Sequence, residues 1–198
     1  MIVLPLLEER NLLNKIPYVL GKKIGAGGDG SIYDISNNKV IKLSIIYDMI
    51  IDDPLDAQYK QSVKVFSYLK DNNPKGFAKV YDFGFLCKDD RQVHNYGKDD
   101  FIIHFHVMEK LNKLSEKDKS ILFHILNGFE KKLNSKIVIK ELIEIQKYID
   151  FDLEKVKMFY NQLLNSKITH CDLHVRNIMK NNDDEFLLID FDRCKLKL

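Results

Sequence analysis

The hydrophobic and polar positions in the first half of the chain alternate as they do in β-strands. Residues 18–24 (YVLGKKI) and 31–35 (SIYDI) alternate on either side of the glycine-rich segment GAGGDG, and NNKVIKLSI predicts a turn followed by another strand. Two further strands are predicted from FAKVYDFGFL and DFIIHFHVMEKL, which the polar segment KDDRQVHNYGKD separates. Residues 54–69 place apolar side chains at helical spacing, with Pro54 suited to a first turn. The pattern predicts a small antiparallel sheet with one helix.

The second half of the chain has a helical period. Residues 115–150 carry helical patterns that are interrupted near Asn127-Gly128 and again near Asn134-Ser135. Because asparagine and glycine favour helix ends and turns, these positions predict breaks between separate helices.

The last quarter of the chain combines a helix with a pair of short strands. Residues 152–167 predict an amphipathic helix with Asp152 as a plausible N-cap. A short strand (NIM), a polar turn (KNNDDE) and a second strand (FLLID) follow. A sheet-rich half followed by a helix-rich half predicts an α+β fold with two lobes, residues 1–108 and 109–198, and a ligand cleft between them.

The composition is that of an ordinary globular protein without a pronounced charge. Hydrophobic residues make up 45% of the 198 residues and charged residues 30%, which argues against global disorder. The formal net charge of +2 does not favour a nucleic-acid or anionic-membrane partner. Three widely spaced cysteines without a CxxC motif argue against a disulfide framework and favour a reducing compartment. The apolar start lacks the basic region of a signal peptide, and no run approaches the roughly 18 apolar residues of a membrane span.

The segment GAGGDG has the chemistry of a phosphate-binding loop. Gly25, Gly27 and Gly30 follow a GxGxxG spacing, and glycines let backbone N–H groups approach phosphate oxygens closely. The alternative interpretation of this segment is a flexible hairpin without a ligand. A Rossmann fingerprint needs a helix directly after the glycines, whereas strands are predicted here. Lys42 lies on the next strand, where it either extends outward to solvent or, together with the loop, reaches the phosphates of a nucleotide.

The segment HCDLHVRNIMKNNDDEFLLIDFD gathers polar residues between two apolar runs. Asn177 and Asp190 offer the hard oxygen ligands that Mg²⁺ prefers, and a hairpin of NIM and FLLID would bring them together. Asp172 lies in the same loop as Asn177 and is placed to accept a proton from a substrate hydroxyl. This spacing of two carboxylates and one carboxamide predicts phosphoryl transfer.

The motifs GAGGDGSIY, VIK, HCDLHVRNIM and LIDFD, in this order and spacing, resemble the protein-kinase-like superfamily over nearly the whole chain. The resemblance implies ATP and Mg²⁺ as cofactors, with Lys42 on the phosphates, Asp172 as the catalytic base, and Asn177 and Asp190 on the metal. VMEKL resembles the hinge, where backbone groups of Glu109 and Leu111 would meet adenine. The implied nucleotide-binding residues are Gly25, Ala26, Gly27, Gly28, Gly30, Ile32, Lys42, Met108, Glu109 and Leu111. The earlier YDFG is expected to be a strand turn and not a metal ligand.

The chain departs from the kinase pattern in its first lobe and in its catalytic loop. The predicted helix contains no glutamate to pair with Lys42, so that Gln58, Gln61 or Asp56 must substitute or the pair is missing. Cys171 stands where an arginine usually precedes the catalytic aspartate, which makes regulation by a phosphorylated activation loop improbable.

The remaining departures concern the acceptor side. His174 stands where many protein kinases have lysine, a feature similar to aminoglycoside and choline kinases, and Asp192 replaces the last glycine of DFG. Only RCKLKL follows, so the expected helical lobe is reduced and lacks an activation segment and the late helices. The chain thus looks like a minimal kinase similar to small bacterial effector kinases, while IDFDRC also resembles lipopolysaccharide sugar kinases.

Three functions follow from the resemblance. A minimal Ser/Thr protein kinase is favoured, with a protein substrate, an activating partner protein as an option, and no nucleic-acid partner. The alternatives are a small-molecule or sugar kinase and a non-catalytic pseudokinase. A cytoplasmic location is expected, which for a secreted effector or viral protein would be the cytoplasm of the host.

Several histidines also imitate metal ligands. One zinc-like set is His170 and His174, four positions apart and beside Cys171, and the other is His104 and His106 with Glu109. Because His104 and His106 share one strand face, they are expected to be ordinary sheet residues. His170 is expected to brace the catalytic loop by hydrogen bonding.

Overall fold

The structure is a computed structural model, and it has the α+β composition that the sequence predicts. The residues that it describes are 12–27, 30–47, 55–89, 101–130 and 135–197. Their strands, in chain order, are β1 Lys23–Ala26, β2 Gly30–Ile35, β3 Lys39–Tyr47, β4 Val80–Asp89, β5 Phe101–Glu109, β6 Ile168–Thr169, β7 Ile178–Lys180, β8 Phe186–Leu188 and β9 Lys195–Leu196. Their α-helices are α1 Leu55–Asn72, α2 Glu116–Glu130, α3 Ser135–Gln146 and α4 Leu153–Asn165.

The chain divides into two compact units. The first contains residues 1–73 and 79–110, and the second contains residues 74–78 and 111–198. The predicted boundary after residue 108 lies close to the end of the first unit. The short segment 74–78 joins the second unit through strand-like hydrogen bonds, because Ala78 N donates to Leu188 O (2.8 Å) and Leu188 N donates to Gly76 O (2.8 Å).

The first unit is built on a five-stranded antiparallel sheet with the strand order β1-β2-β3-β5-β4. Asn37 and Asn38, both with positive φ (62° and 53°), form the tight turn between β2 and β3, a conformation that asparagine tolerates well. The first predicted strand was placed too early, because β1 begins at Lys23. Gly21 and Lys22 still bond to the backbone of Asp34, but a register shift separates these bonds from the regular ladder.

The two faces of this sheet differ in chemistry. Alternate residues of β3 and β5 pair across the strands and point to one face, where they pack with the segment around Leu12 and Ile16. The members of this core are Leu12, Ile16, Tyr33, Ile41, Leu43, Ile45, Leu86, Ile103, Phe105 and Val107. On the opposite face α1 packs Phe66 against Phe83, with ring centroids 5.6 Å apart, and Tyr59 packs against Phe85 at 4.7 Å.

The second unit combines α2, α3 and α4 with two short antiparallel pairs, β6–β9 and β7–β8. The predicted break at Asn127-Gly128 is wrong, since α2 continues through both residues to Glu130. A new helix does begin at Ser135, whereas Asn134 lies outside the described residues. Buried Ile121, Ile125 and their neighbours supply enough apolar contact to carry α2 past the glycine.

The helix α4 follows the sequence prediction closely. Its N-cap is Asp152, whose carboxylate accepts hydrogen bonds from the backbone N–H groups of Glu154 (3.0 Å) and Lys155 (3.1 Å). One face of α4 is buried and packs toward β8 through Phe159 and Phe186, whose ring centroids lie 5.8 Å apart. This packing of α4 supports one face of the β7–β8 hairpin. Within the described residues, no helix is both long and apolar enough to cross a membrane.

Candidate functional site

The β7–β8 hairpin positions the predicted catalytic residues of the second unit. Ile178 pairs with Leu188 and Lys180 with Phe186, and the polar turn between them closes on Asn181, whose side-chain oxygen accepts from the N–H groups of two turn residues. The loop from β6 enters β7 through the 3-10 helix Val175–Asn177. Asn177 therefore stands at the start of the hairpin, and the residues after β8 return to the same end.

One backbone hydrogen bond joins the two ends of this hairpin. Ile189 N donates to the carbonyl oxygen of Asn177 at 2.9 Å. The chain that leads into Asp190 is thereby held beside Asn177, although the two residues are 13 positions apart in sequence. The hairpin that the sequence predicts thus brings these two residues to one end of the β7–β8 pair.

Asn177 also binds the loop that carries Asp172. Its amide nitrogen Nδ2 donates to the backbone oxygen of Asp172 at 2.9 Å and approaches the carboxylate oxygen Oδ2 at 3.4 Å. Asn177 is only 6% exposed, so its amide is held in one orientation by burial as well as by these bonds. Asp172 itself is half-buried and keeps access to solvent.

His170 braces the same loop from the other side. Its Nε2 lies 2.8 Å from the backbone oxygen of Ile189, and since a carbonyl can only accept, the imidazole donates this bond. Burial lowers the pKa of His170, and this effect outweighs the bond to Ile189 and the nearby carboxylates of Asp190 and Asp172, which act in the opposite direction. His170 is therefore neutral at pH 7, and it links the loop of Asp172 to the residue before Asp190.

Asp190 adopts a backbone conformation that few residues other than glycine adopt. Its φ is +65°, in the left-handed region, which aspartate tolerates better than most side chains do. A residue held in this conformation two positions after the end of β8 is fixed by its surroundings, and such conformations concentrate at functional sites.

His174 lies on the solvent side of the loop. Its Nε2 is 3.6 Å from Asp172 Oδ2, and both side chains remain partly exposed, at 44% and 39%. A protonated imidazole at this distance would stabilise the carboxylate, and screening by solvent keeps the effect modest.

The glycine loop of the first unit joins β1 to β2. Gly25 and Ala26 end β1, Gly30 begins β2 with Ile32 two residues further on, and Gly27 N donates to Gly30 O at 3.0 Å. Gly28 lies outside the described residues.

The two glycines at the ends of this turn have different surroundings. A Cβ added to Gly30 would lie 2.8 Å from Leu43 O, which leaves no room for a side chain. A Cβ on Gly27 would meet no described atom within 4 Å other than those of its chain neighbours. Packing thus accounts for the glycine at 30 but not for the glycine at 27, where close approach of a ligand to the backbone is an adequate reason.

Lys42 is buried in the middle of β3, at 7% exposure. Its Cε lies 3.1 Å from the position of a Cβ on Gly30, so the lysine stem runs directly beneath the start of β2. The glycine loop and the strand lysine, which the sequence places twelve residues apart, are therefore neighbours in space. The lysine does not extend outward to solvent.

The hinge-like segment is anchored by its own backbone. Met108 is buried at 3% exposure and pairs with Val40 and Val80 on the two flanking strands. Glu109 N donates to Lys79 O at 3.1 Å, and its carboxylate accepts from Lys79 N at 2.7 Å. Leu111, which is half-buried, is the first residue of the longer segment of the second unit, residues 111–198.

The donor chemistry of the second unit fits a magnesium ion. Because Nδ2 of Asn177 is directed at Asp172, the amide oxygen Oδ1 is the atom that this residue can offer to a cation. Asp190 follows with carboxylate oxygens, so the pair presents the hard oxygen ligands that Mg²⁺ takes alongside phosphates and water. For a nucleotide phosphate, the open space at Gly27 and the buried ammonium of Lys42 offer suitable chemistry.

The YDFG segment is a structural part of β4. Asp82 accepts hydrogen bonds from Tyr18 Oη (2.9 Å) and Lys70 Nζ (3.0 Å), and a bulge in the strand accompanies it. Burial alone would raise the pKa of Asp82, but these two partners outweigh it and lower the pKa. The residue holds three segments of the first unit together, although it lies inside a strand and not at a turn.

The sequence places His104 and His106 on one face of a strand but does not predict which residues lie opposite them. His104 and His106 are fully buried, and their rings stack with centroids 5.9 Å apart on the sheet face that also carries Lys42. Their alternation with apolar residues places them on one face, but only the pairing of β3 with β5 shows that His106 lies opposite Lys42.

Comparison with protein-family models finds no match to this chain, and comparison with curated protein sequences finds none either.

Proposed function

We propose that this protein is an ATP- and Mg²⁺-dependent phosphotransferase with a two-lobed protein-kinase-like fold, and that it is a minimal Ser/Thr protein kinase. The observation that carries the proposal is the set of hydrogen bonds around Asn177, which joins the loop of Asp172 to the chain that enters Asp190. These bonds bring the backbone of the three residues to one end of the hairpin, which supports the assignment of two carboxylates and one carboxamide to one site.

Asp172 is assigned the role of catalytic base. Its carboxylate is half-buried and partly exposed, so an acceptor hydroxyl can reach it from solvent. The amide of Asn177 fixes its loop, and His170 holds that loop against Ile189. In phosphoryl transfer the protein mainly positions groups and stabilises charge, and a pre-oriented carboxylate serves the first of these tasks.

Asn177 and Asp190 are assigned to the metal, and the first unit is assigned to the nucleotide. Bound Mg²⁺ would neutralise the charge of the phosphates. Lys42 and the backbone of the glycine loop would hold the phosphates, and the backbone of Glu109 and Leu111 would bind the adenine. The burial of Lys42 supports this assignment, because a buried ammonium favours an anionic neighbour.

A small-molecule or sugar kinase is the second candidate, and His174 favours it. The imidazole lies 3.6 Å from the carboxylate of Asp172, at the position where many protein kinases have a longer lysine. A shorter side chain leaves more room next to the base for a compact acceptor. A panel of sugars, aminoglycosides and protein acceptors with labelled ATP distinguishes the two candidates.

The test of the proposal is Mg²⁺-dependent transfer of labelled γ-phosphate by the native chain, by Asp172→Asn and by Asp190→Asn. Both variants are expected to lose transfer by a factor of about 100 or more, since each removes a charge that the reaction uses. Asp190→Asn is also expected to weaken binding of the Mg²⁺–ATP complex, whereas Asp172→Asn leaves that binding within about threefold.

Asp183→Asn is the matched control. Asp183 is an exposed residue of the turn between β7 and β8, and the hydrogen bonds in which it takes part use its backbone N–H and its backbone oxygen. Its substitution removes the same charge from the same hairpin and is expected to leave transfer unchanged. A native protein that binds Mg²⁺–ATP without transferring phosphate to any acceptor of the panel would instead support the pseudokinase. Transfer that survives both active-site substitutions would refute the assigned site.

A further inference from the structure

The short antiparallel pair β6–β9 leads directly into the loop of Asp172. Thr169 of β6 pairs with Lys195 of β9, and two residues further along Lys197 N donates a hydrogen bond to Lys167 O at 2.7 Å. A residue spans at most about 3.6 Å of chain, so the Cα atoms of Thr169 and Asp172 lie within about 11 Å of each other. Segments 167–169 and 195–197 therefore form a ribbon beside the proposed catalytic base.

The two faces of this ribbon differ in their exposure to solvent. Ile168 and Leu196 pair directly and share the inner face, where Ile168 is 3% exposed. Because neighbouring side chains of a strand alternate between the two faces, the residues on either side of this pair belong to the outer face. All of them are exposed, and they are Lys167, Thr169, Lys195 and Lys197. The outer face thus presents three lysine side chains to solvent.

The charge carried by the ribbon and the turn before β9 is entirely positive. The formally charged residues of segments 166–171 and 193–197 are all basic and exposed, and this set, called the basic ribbon below, consists of Lys167, Arg193, Lys195 and Lys197. The whole chain has 31 basic and 29 acidic residues, so this clustering is a local feature and does not follow from the composition. The acidic residues next to the basic ribbon in sequence, Asp172, Asp190 and Asp192, are half-buried.

Lysines that share one face of a ribbon repel each other. The backbone hydrogen bond places Lys167 across from Lys197, and like charges that lie directly opposite each other destabilise a pair of strands. The Lys197 ammonium donates to the backbone oxygen of Ser166 at 2.7 Å, a contact that leaves its charge in place. Binding of carboxylates would reduce this repulsion, so the surface favours an acidic partner.

We propose that the basic ribbon is the docking surface for the acceptor protein and that it selects an acidic segment of that protein. Thr169 and Lys167 precede Asp172 by three and five residues, and an extended peptide rises about 3.3 Å per residue, as a strand does. The acidic residues of the acceptor therefore stand about three to five positions from the serine or threonine whose hydroxyl meets Asp172. This inference rests on the proposed function, since it takes Asp172 as the catalytic base.

The full chain is tested with three serine peptides that carry glutamate, glutamine or lysine about three to five positions on either side of the serine and are otherwise identical. Transfer of labelled γ-phosphate gives kcat and KM for each peptide. The KM of the native protein is expected to be about tenfold lower for the glutamate peptide than for the glutamine peptide. Because salt screens exposed charges, about 0.5 M NaCl is expected to remove most of this difference.

The substitutions that test the basic ribbon are Lys167→Glu and Lys195→Glu. Each is expected to raise the KM of the glutamate peptide about fivefold and to leave kcat within about twofold, since exposed charges act on docking and not on transfer. Both are expected to lower the KM of the lysine peptide, a reversal that a loss of structure would not produce. The KM of the glutamine peptide is expected to change less than about twofold.

Lys140→Glu is the matched control, because Lys140 is an exposed residue of α3 and its substitution makes the same change in charge. It is expected to leave all three KM values within about twofold. Equal KM values of the native protein for the three peptides, or equal responses of Lys167→Glu and Lys140→Glu, would overturn the inference while the proposed function stands. Binding to phosphatidylserine vesicles that Lys167→Glu abolishes, without a preference among the peptides, would overturn it in favour of a membrane. A native protein that transfers phosphate to none of the peptides would overturn both.

Discussion

The two glycines of the phosphate-loop motif are expected to respond differently to substitution by alanine. At Gly30 the added Cβ would lie 2.8 Å from the backbone oxygen of Leu43, 3.1 Å from Lys42 Cε and 3.1 Å from Ser44 Oγ. At Gly27 the added atom would meet no described atom within 4 Å beyond its chain neighbours. Neither residue has a positive φ, so the difference is one of space alone.

The free-energy cost of Gly30→Ala depends on whether the atoms next to the added Cβ can shift. An ordinary carbon–oxygen contact lies near 3.4 Å, so Gly30→Ala must separate β2 from β3 by about half an ångström, and the obstacle is backbone. Such overpacking typically costs about 1–3 kcal/mol. The loss of glycine freedom in the unfolded chain offsets about 0.4–1 kcal/mol of this cost. A net loss of about 1–2 kcal/mol is expected for Gly30→Ala, and a change between zero and a gain of about 1 kcal/mol for Gly27→Ala.

Urea unfolding followed by circular dichroism measures both variants, and Mg²⁺–ATP binding is measured on the same preparations. Gly27→Ala is expected to keep its stability and to bind the nucleotide about tenfold more weakly, because a methyl group blocks the approach of a phosphate to the backbone. Equal unfolding free energies of the two variants would refute the packing argument. Unchanged nucleotide binding in Gly27→Ala would refute the ligand argument for that glycine.

Two further predictions concern hydrogen bonds whose strength depends on pH. Burial and the bond to Asp82 raise the pKa of Tyr18 from 10.0 to about 12, so the contribution of the protonated phenol is complete below pH 10 and is lost as the pH rises toward 12. Tyr18→Phe is expected to cost about 1 kcal/mol in urea unfolding at pH 8, and a cost that persists unchanged at pH 11.5 would contradict this. Burial tends to raise the pKa of Asp118, but hydrogen bonds from Ser115 and Lys180 outweigh this effect and lower the pKa from 3.8. The ionised carboxylate therefore stabilises the fold above pH 3.8, and this stabilisation is lost as the pH falls through the lower pKa of the folded state. Lys180→Met is expected to cost about 1 kcal/mol at pH 7 and less at pH 2.5, and an equal cost at both values would disprove the pairing.

The parts of the fold that the sequence predicts well are those with local causes. The Asn37-Asn38 turn and the alternation of β3 follow from backbone preference and from period alone. The pairing of β6 with β9 was not predicted, because two strands of two residues each carry no period and meet only through contacts between distant parts of the chain. The continuation of α2 past Gly128 was missed for a related reason, since tertiary packing overrides a local helix-breaking preference.

The same distinction between local and long-range causes applies to the candidate site. The backbone of Asp172, Asn177 and Asp190 comes together through one hairpin with a short polar turn. The apolar runs in the sequence predict this hairpin. The direction of the Asn177 amide and the positive φ of Asp190 depend on burial and on bonds that no sequence pattern specifies. The neighbour of Lys42 was equally out of reach, because the register between β3 and β5 decides it across a sequence separation of more than sixty residues.

Two of the four Asp-Phe dipeptides of this chain, Asp82-Phe83 and Asp190-Phe191, show why position in the fold, and not the motif, decides what a carboxylate does. Asp82 lies inside β4, where Tyr18 and Lys70 take both of its oxygens and their bonds lower its pKa, so its charge serves the stability of the first unit. Asp190 lies just beyond β8 in a left-handed conformation, next to a backbone bond to Asn177. A carboxylate that is tied to two protein partners within a sheet cannot also ligate a cation without breaking them. The β7–β8 hairpin brings the chain at Asp190 beside Asn177, a second residue with an oxygen ligand, and this proximity is the reason for the proposal of a metal site at Asp190.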